Sequence, residues 1–172
     1  DAALAEKLDA IAYPGLTANF DPGRVAALAR GLIDWRVHGP AYAQAMQATA
    51  RALAEALHAL GLPVHAMDRG ATQSHQLALE VAALGGGQAA ARRMAPAGLL
   101  ACGIGLPIAP VAGDLNGLRL GVPEIVRLGM GPGDMPELAA LIRRALTVPD
   151  ARAVAPDVAA FRGRFSGVRY VV

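Results

Sequence analysis

Ala95 through Gly113 carries no charge, over a length that could cross a bilayer. Pro96, Pro107, Pro110 and four glycines interrupt it, and each proline removes a backbone donor and blocks the turn before it. The stretch therefore reads as buried strand and loop, not as a membrane span, and other layers must cover it. The rest of the chain supplies them. Ala2–Ala12 reads as a helix ended by Tyr13-Pro14-Gly15. Asp21-Pro22 places a cap and a first-turn proline before a helix over Arg24–Val37. Gly39-Pro40 punctuates, and an amphipathic helix follows from Ala41 to Leu60, closed by Gly61. Pro63–Met67 and His75–Val81 read as short strands around a polar turn. Gly85-Gly-Gly87 is a loop and Gln88–Met94 a short helix. Leu99–Ile104 and Leu118–Leu120 complete a small sheet. Asp134–Leu146 is a helix capped by its aspartate, Asp150–Arg162 a terminal helix, and Phe165–Val172 extended or strand-like. Helix pairs followed by strands mixed with helices predict an α/β or α+β layer, with a short mixed sheet and flanking helices.

Apolar residues make up 54% of the chain and charged residues 17%, an unusual balance for an isolated domain. Part of the surface is therefore expected to be covered, by further chain or by a second subunit. The net charge is +2 and the arginines are scattered, with no basic patch interleaved with aromatics, so nucleic acid is not an expected partner. Cys102 is the one cysteine, which excludes an internal disulfide and offers no metal-ligand pair. His38, His58 and His65 also lack metal-ligand spacing. A reducing cytoplasm fits, and the first residues show no signal-peptide pattern. Lys7 is the only lysine; the other fifteen basic residues are arginines. It falls on the polar face of the first predicted helix, as a solvated surface lysine would.

The densest site signal is Asn116-Gly-Leu-Arg119-Leu-Gly-Val-Pro-Glu124, continued by Ile-Val-Arg127-Leu-Gly-Met130. Arg119 stands in a strand-like run bounded by glycines, a setting that suits bidentate capture of a carboxylate. The stretch resembles the small-domain signature of the serine hydroxymethyltransferase family, pyridoxal-phosphate enzymes with the aspartate-aminotransferase-type fold. The resemblance covers residues 4–147. Tyr13-Pro-Gly-Leu16 matches the family's aromatic-Pro-Gly turn, near the cofactor phosphate at the dimer interface. Gly70-Ala-Thr72-Gln-Ser-His75 matches its Gly-Gly-Thr-Asp-Asn-His segment, and Arg127 the arginine of its Thr-Thr-Arg-Gly.

The resemblance implies the C-terminal part of a fold-type I enzyme. Residues 1–38 would end the large cofactor-binding domain, and residues 39–172 would form the small C-terminal domain. Arg119 would hold the substrate's α-carboxylate, with His75 and Arg127 as positioning residues. Tyr13, Thr17 and Asn19 would approach pyridoxal phosphate. No catalytic residue falls in this chain: the Schiff-base lysine is expected upstream, on a missing N-terminal large domain, and the complete enzyme is expected to be a homodimer. It would make or break the Cα–Cβ bond of a β-hydroxy-α-amino acid through a glycine quinonoid, as in serine/glycine hydroxymethyl transfer. Two departures matter. Thr17-Ala-Asn19-Phe20 replaces the family's Gln-Gly-Gly-Pro, whose glycines let backbone amides approach a phosphate. Cys102 and Ile104 replace the two asparagines of the folate-using pattern, so weak or absent dependence on tetrahydrofolate is expected. The alternatives are a folate-independent threonine aldolase or transaldolase, and a non-catalytic helper subunit with the same fold.

Overall fold

The computed structural model describes residues 1–17 and 21–172. Two compact units divide the chain: Asp1–Val37 with Val172, and His38–Val171.

In the first unit, helix α1 (Ala2–Ala10) starts at Asp1, whose carboxylate accepts from the Ala3 N–H at 3.0 Å. A wide turn over Ile11–Leu16 follows, in which Tyr13 is extended at φ −143°, so the Tyr-Pro-Gly segment ends the helix as its composition dictates. Helix α2 then runs from Pro22 to Ala59, its residues from His38 onward belonging to the second unit. Its start obeys the expected chemistry, since Asp21 accepts from the Arg24 N–H at 3.2 Å. Gly39-Pro40 does not break it, contrary to the expectation of two helices. A proline deletes one helical hydrogen bond and crowds the preceding turn, and here the apolar face that follows outweighs that local cost. That face is Tyr42, Met46, Ala50, Leu53 and Leu57, all buried at helical spacing.

In the second unit, three strands form an antiparallel sheet in the order β1-β3-β2: β1 (Gln76–Glu80), β2 (Cys102–Ile104) and β3 (Gly117–Gly121). The α/β layering holds, but the strand directions are not mixed. The central strand pairs Arg119 with Ala78 on one side and with Cys102 on the other. Alternation sends Leu77, Leu79, Leu118 and Leu120 into the core. There they meet α2, α3 (Gly87–Met94) and the amphipathic α5 (Met135–Thr147). Gly87 is required where α3 meets the sheet: a Cβ there would overlap the Gly117 carbonyl oxygen and lie 2.8 Å from the Gly103 Cα.

Several local expectations change. Pro63–Met67 is not a strand; it makes one bridge, Val64 to Leu79, and then Ala66 at φ 55° turns the chain away into a tight turn at Met67–Arg69. Asp134 does not cap α5 through its side chain; its carboxylate accepts from the Gly131 N–H at 2.8 Å, closing the preceding turn. The predicted terminal helix is a tight turn at Ala151–Val154 followed by α6 (Ala155–Gly163). Residues 165–172 form no strand. Their hydrogen bonds go elsewhere: the Arg169 N–H donates to the Arg127 carbonyl at 2.7 Å, and Tyr170, at φ 59°, stacks on Tyr42 at 4.8 Å. A short helix not expected from the sequence, α4 (Pro123–Arg127), follows β3 directly.

Candidate functional site

The strand alternation that buries Leu118 and Leu120 puts Arg119 on the opposite, exposed side of β3. It lines a cavity of about 420 Å³ with His75, Gln76, Leu100, Ala101, Cys102, Gly121 and Pro123. Among the described residues, no carboxylate lies within ion-pair distance of Arg119. Other arginines among the described residues are paired, as in Arg144–Asp157 and Arg164–Glu137, both at 2.7 Å. With no ion pair among the described residues, Arg119 presents a planar fork to a cavity of mixed polar and apolar lining, a geometry able to take a carboxylate.

His75 reaches this cavity because the loop before β1 is tied into a fixed shape. The Thr72 hydroxyl donates to the Gln76 carbonyl at 2.6 Å and accepts from the Ser74 N–H at 3.0 Å. The Val122 N–H donates to the His75 carbonyl at 3.0 Å, locking that loop to the end of β3. Arg119 and His75 thus line one cavity. Arg127 is not among the cavity's lining residues. It is half-buried at the end of α4, where its charge acts on the Tyr42 phenol. Burial pushes that phenol above its ordinary value, Arg127 opposes the rise and Tyr170 adds to it. The Tyr42 hydroxyl donates to the Pro123 carbonyl at 2.7 Å, so it braces a wall of the cavity from behind.

Cys102 lines the cavity opposite Arg119, while Ile104 lies two residues along β2 beside Gly117 and is not part of the lining. Of the residues expected near a cofactor phosphate, Tyr13 and Thr17 are exposed, and the Thr17 hydroxyl donates to the Ala12 carbonyl at 2.6 Å. Asn19 lies outside the described residues.

Two shaping residues carry no motif of their own. Asn116 is buried; its amide donates to the carbonyls of Leu106, Ile108 and Ala109 at 3.0–3.2 Å and its oxygen accepts from the Leu106 N–H at 2.7 Å. It fixes the proline-rich loop next to β3. Asp114 accepts from the Gln88 and Ala89 N–H groups at 3.0 and 2.9 Å, and these bonds hold its carboxyl below the usual range. Both could have been suspected as polar residues between an apolar loop and a strand; that loop is mostly exposed, not buried as its lack of charge suggested, because its prolines and glycines keep it from packing as a strand. Leu100, Ala101 and Pro123 gave no signal, because apolar residues beside a strand read as core.

Pyridoxal phosphate, the cofactor the resemblance implies, needs an amine for its aldehyde and donors for its phosphate. The described residues do not meet that need. The single lysine, Lys7, is exposed on α1, the Thr17 hydroxyl proton is engaged, and the first N–H groups of α3 are taken by Asp114. Among the described residues, no group of three or more His, Cys, Asp or Glu could hold a metal ion, and no helix is long and apolar enough to cross a membrane.

No protein-family model matches the chain. It is 70% identical over 172 residues, its whole length, to an alpha-methylserine aldolase of Variovorax paradoxus, of which it covers 39%. It is 41% identical over 170 residues to a serine hydroxymethyltransferase of Korarchaeum cryptofilum, with 96% of this chain and 39% of that protein aligned. The crystal structure of L-threonine transaldolase from Pseudomonas fluorescens in the internal aldimine state superposes with a TM-score of 0.78 at 25% identity, over 92% of this chain and 36% of that one. The chain thus spans about two-fifths of the length of the relatives it matches. By motif, by similarity along its length and by fold, it belongs to the serine hydroxymethyltransferase family, as the C-terminal part of such a protein.

Proposed function

We propose that this chain is the substrate-gripping part of a pyridoxal-phosphate enzyme that makes or breaks the Cα–Cβ bond of β-hydroxy-α-amino acids without tetrahydrofolate. The observation that carries the reading is the unpaired Arg119 in its cavity, opposite Cys102. Arg119 would take the α-carboxylate through two parallel N–H···O bonds. That grip fixes the rotation about the carboxyl-bearing carbon, and so the direction of the bond to be broken. His75 and Gln76 would serve as polar neighbours that position the substrate. Leu100, Ala101 and Pro123 would exclude water on the other side. The cofactor, its lysine and the proton-transfer groups are assigned to the part of the protein outside this chain.

Aldol chemistry with a free aldehyde is preferred over hydroxymethyl transfer to folate. A pterin presents donors and acceptors that need matching amides, and Cys102 and Ile104 offer a thiol and an aliphatic side chain. Each unmatched buried partner costs roughly 1–3 kcal/mol. The 70% identity to a protein called alpha-methylserine aldolase points the same way, and extends the candidate substrates to serine bearing an α-methyl group. It also favours an enzyme over a helper subunit.

The two compact units support residues 1–38 as the end of a large domain and 39–172 as the small domain. Exposed Leu4, Leu8, Ile11, Leu28, Leu32 and Trp35 in the first unit support burial there against the large domain or a second copy in a homodimer. Free Cys102 fits a cytoplasmic setting. The test is cleavage of serine and α-methylserine by the full-length protein with and without tetrahydrofolate. Equal rates are expected. A large folate-dependent acceleration of serine cleavage would return the enzyme to hydroxymethyl transfer.

A further inference from the structure

A second hollow, of about 290 Å³, adjoins the Arg119 cavity. The two share Leu100 and Gly121 in their linings, so they meet over the end of the β2–β3 pair. The alternation of β3 explains the arrangement: Arg119 faces one hollow and Leu120 the other. The second hollow is walled by Leu120, Ile125, Leu128 and Met130, and the charged groups in its lining are Glu124 and Arg162, of opposite sign. Two details mark the junction. Leu100 is 87% exposed, an apolar side chain held out beside a cation site. Gly121 leaves the passage open, since a Cβ there would have the Pro123 Cδ, at 3.6 Å, as its near neighbour.

We infer that the two hollows form one two-part site for a carboxylate that bears an alkyl group, with the carboxylate on Arg119 and the alkyl chain passing Leu100 and Gly121 into the apolar hollow. The inference rests on the reading of Arg119 as a carboxylate site. Charge complementarity selects the occupant: a guanidinium with no ion pair among the described residues at one end and a hydrocarbon wall at the other match an amphipathic acid. A polar chain would lose its water against the Leu120, Ile125, Leu128 and Met130 wall without gaining a partner on that wall. For the proposed reaction, the site favours amino acids whose substituents at the carboxyl-bearing carbon are alkyl, and tolerates groups longer than methyl.

The experiment is calorimetric titration of the full-length, cofactor-loaded protein with unbranched carboxylates from propanoate to hexanoate. Burying methylenes at the usual hydrophobic gain raises affinity about fourfold each, so hexanoate should bind on the order of sixtyfold tighter than propanoate. Leu100→Ser exposes a hydroxyl at the junction and Gly121→Val narrows it. Either should reduce that ratio to below about threefold. Leu100 is exposed and Gly121 has room for a side chain, so both variants should fold. Equal affinity across the series in the parent protein overturns the inference, as does an undiminished ratio in both variants. Arg119→Ala separates the two readings. If propanoate binds as well without the guanidinium, the carboxylate reading itself falls. If binding depends on Arg119 but not on chain length, only the apolar arm falls.

Discussion

Arg119, exposed, and Asp114, half-buried, are charges near the same sheet with different surroundings. Asp114 is fully engaged by backbone N–H groups at the start of α3, and its lowered carboxyl value is the signature of that engagement. Its stabilising effect is complete above the ordinary aspartate range and fades as the pH falls through the depressed folded value. Asp114→Ala should therefore lower the melting temperature at neutral pH, and the gap from the parent should close in strong acid. A gap independent of pH would mean that the cap does not act through the ionised form. Asn116 is the buried counterpart. Removing its amide takes the side-chain partner from the Ile108 and Ala109 carbonyls and the Leu106 N–H, while the Leu106 carbonyl keeps the Ile108 N–H; with roughly 1–3 kcal/mol for an unsatisfied buried group, Asn116→Ala should cost about 2–3 kcal/mol by denaturant titration. A loss under about 0.5 kcal/mol, the range of an ordinary surface substitution, would show that water replaces the amide.

Helix α2 tests how local chemistry yields to packing. Pro40 removes a helical N–H inside a continuous helix, and interior proline costs about 3 kcal/mol relative to alanine. Part of that difference is offset because proline also restricts the unfolded chain, by about 0.4–1 kcal/mol. Pro40→Ala should thus stabilise the protein by about 2 kcal/mol, read as a shift in denaturant midpoint. Destabilisation would mean that the proline ring is a required contact. The same contest explains what the sequence could and could not convey. Helix α2 after residue 41, α3, β1 and β3 were legible because each has an apolar period and a local stop signal. The union of two helices across Gly39-Pro40 was not, since punctuation is a local cue and the apolar stripe beyond it is a tertiary one. Pro63–Met67 looked like a strand, but left-handed Ala66 limits it to a single bridge. In the site, Arg119 and His75 were legible through motif spacing. The apolar walls, and the Tyr42–Pro123 brace, depend on chain segments far apart in sequence and leave no local pattern.

At the scale of the whole molecule, the proposed division puts the carboxylate grip on this chain and the cofactor's amine outside it. The 172-residue chain mixed with pyridoxal phosphate should show no stable absorbance band of a lysine-bound cofactor, and Lys7→Ala should leave its spectrum unchanged. A stable, strong band from the chain alone would show that the cofactor site is not divided as proposed. The central claim, that Arg119 holds the carboxylate, is tested most directly by steady-state kinetics of the full-length protein. Arg119→Ala should raise the KM for the amino acid by at least about thirtyfold, the scale of roughly 2 kcal/mol or more for a charge-assisted pair, while the cofactor absorbance stays unchanged. Arg119→Lys should recover only part of the loss, because a point charge does not reproduce the planar fork. An unchanged KM in Arg119→Ala, with the cofactor in place, would contradict the account.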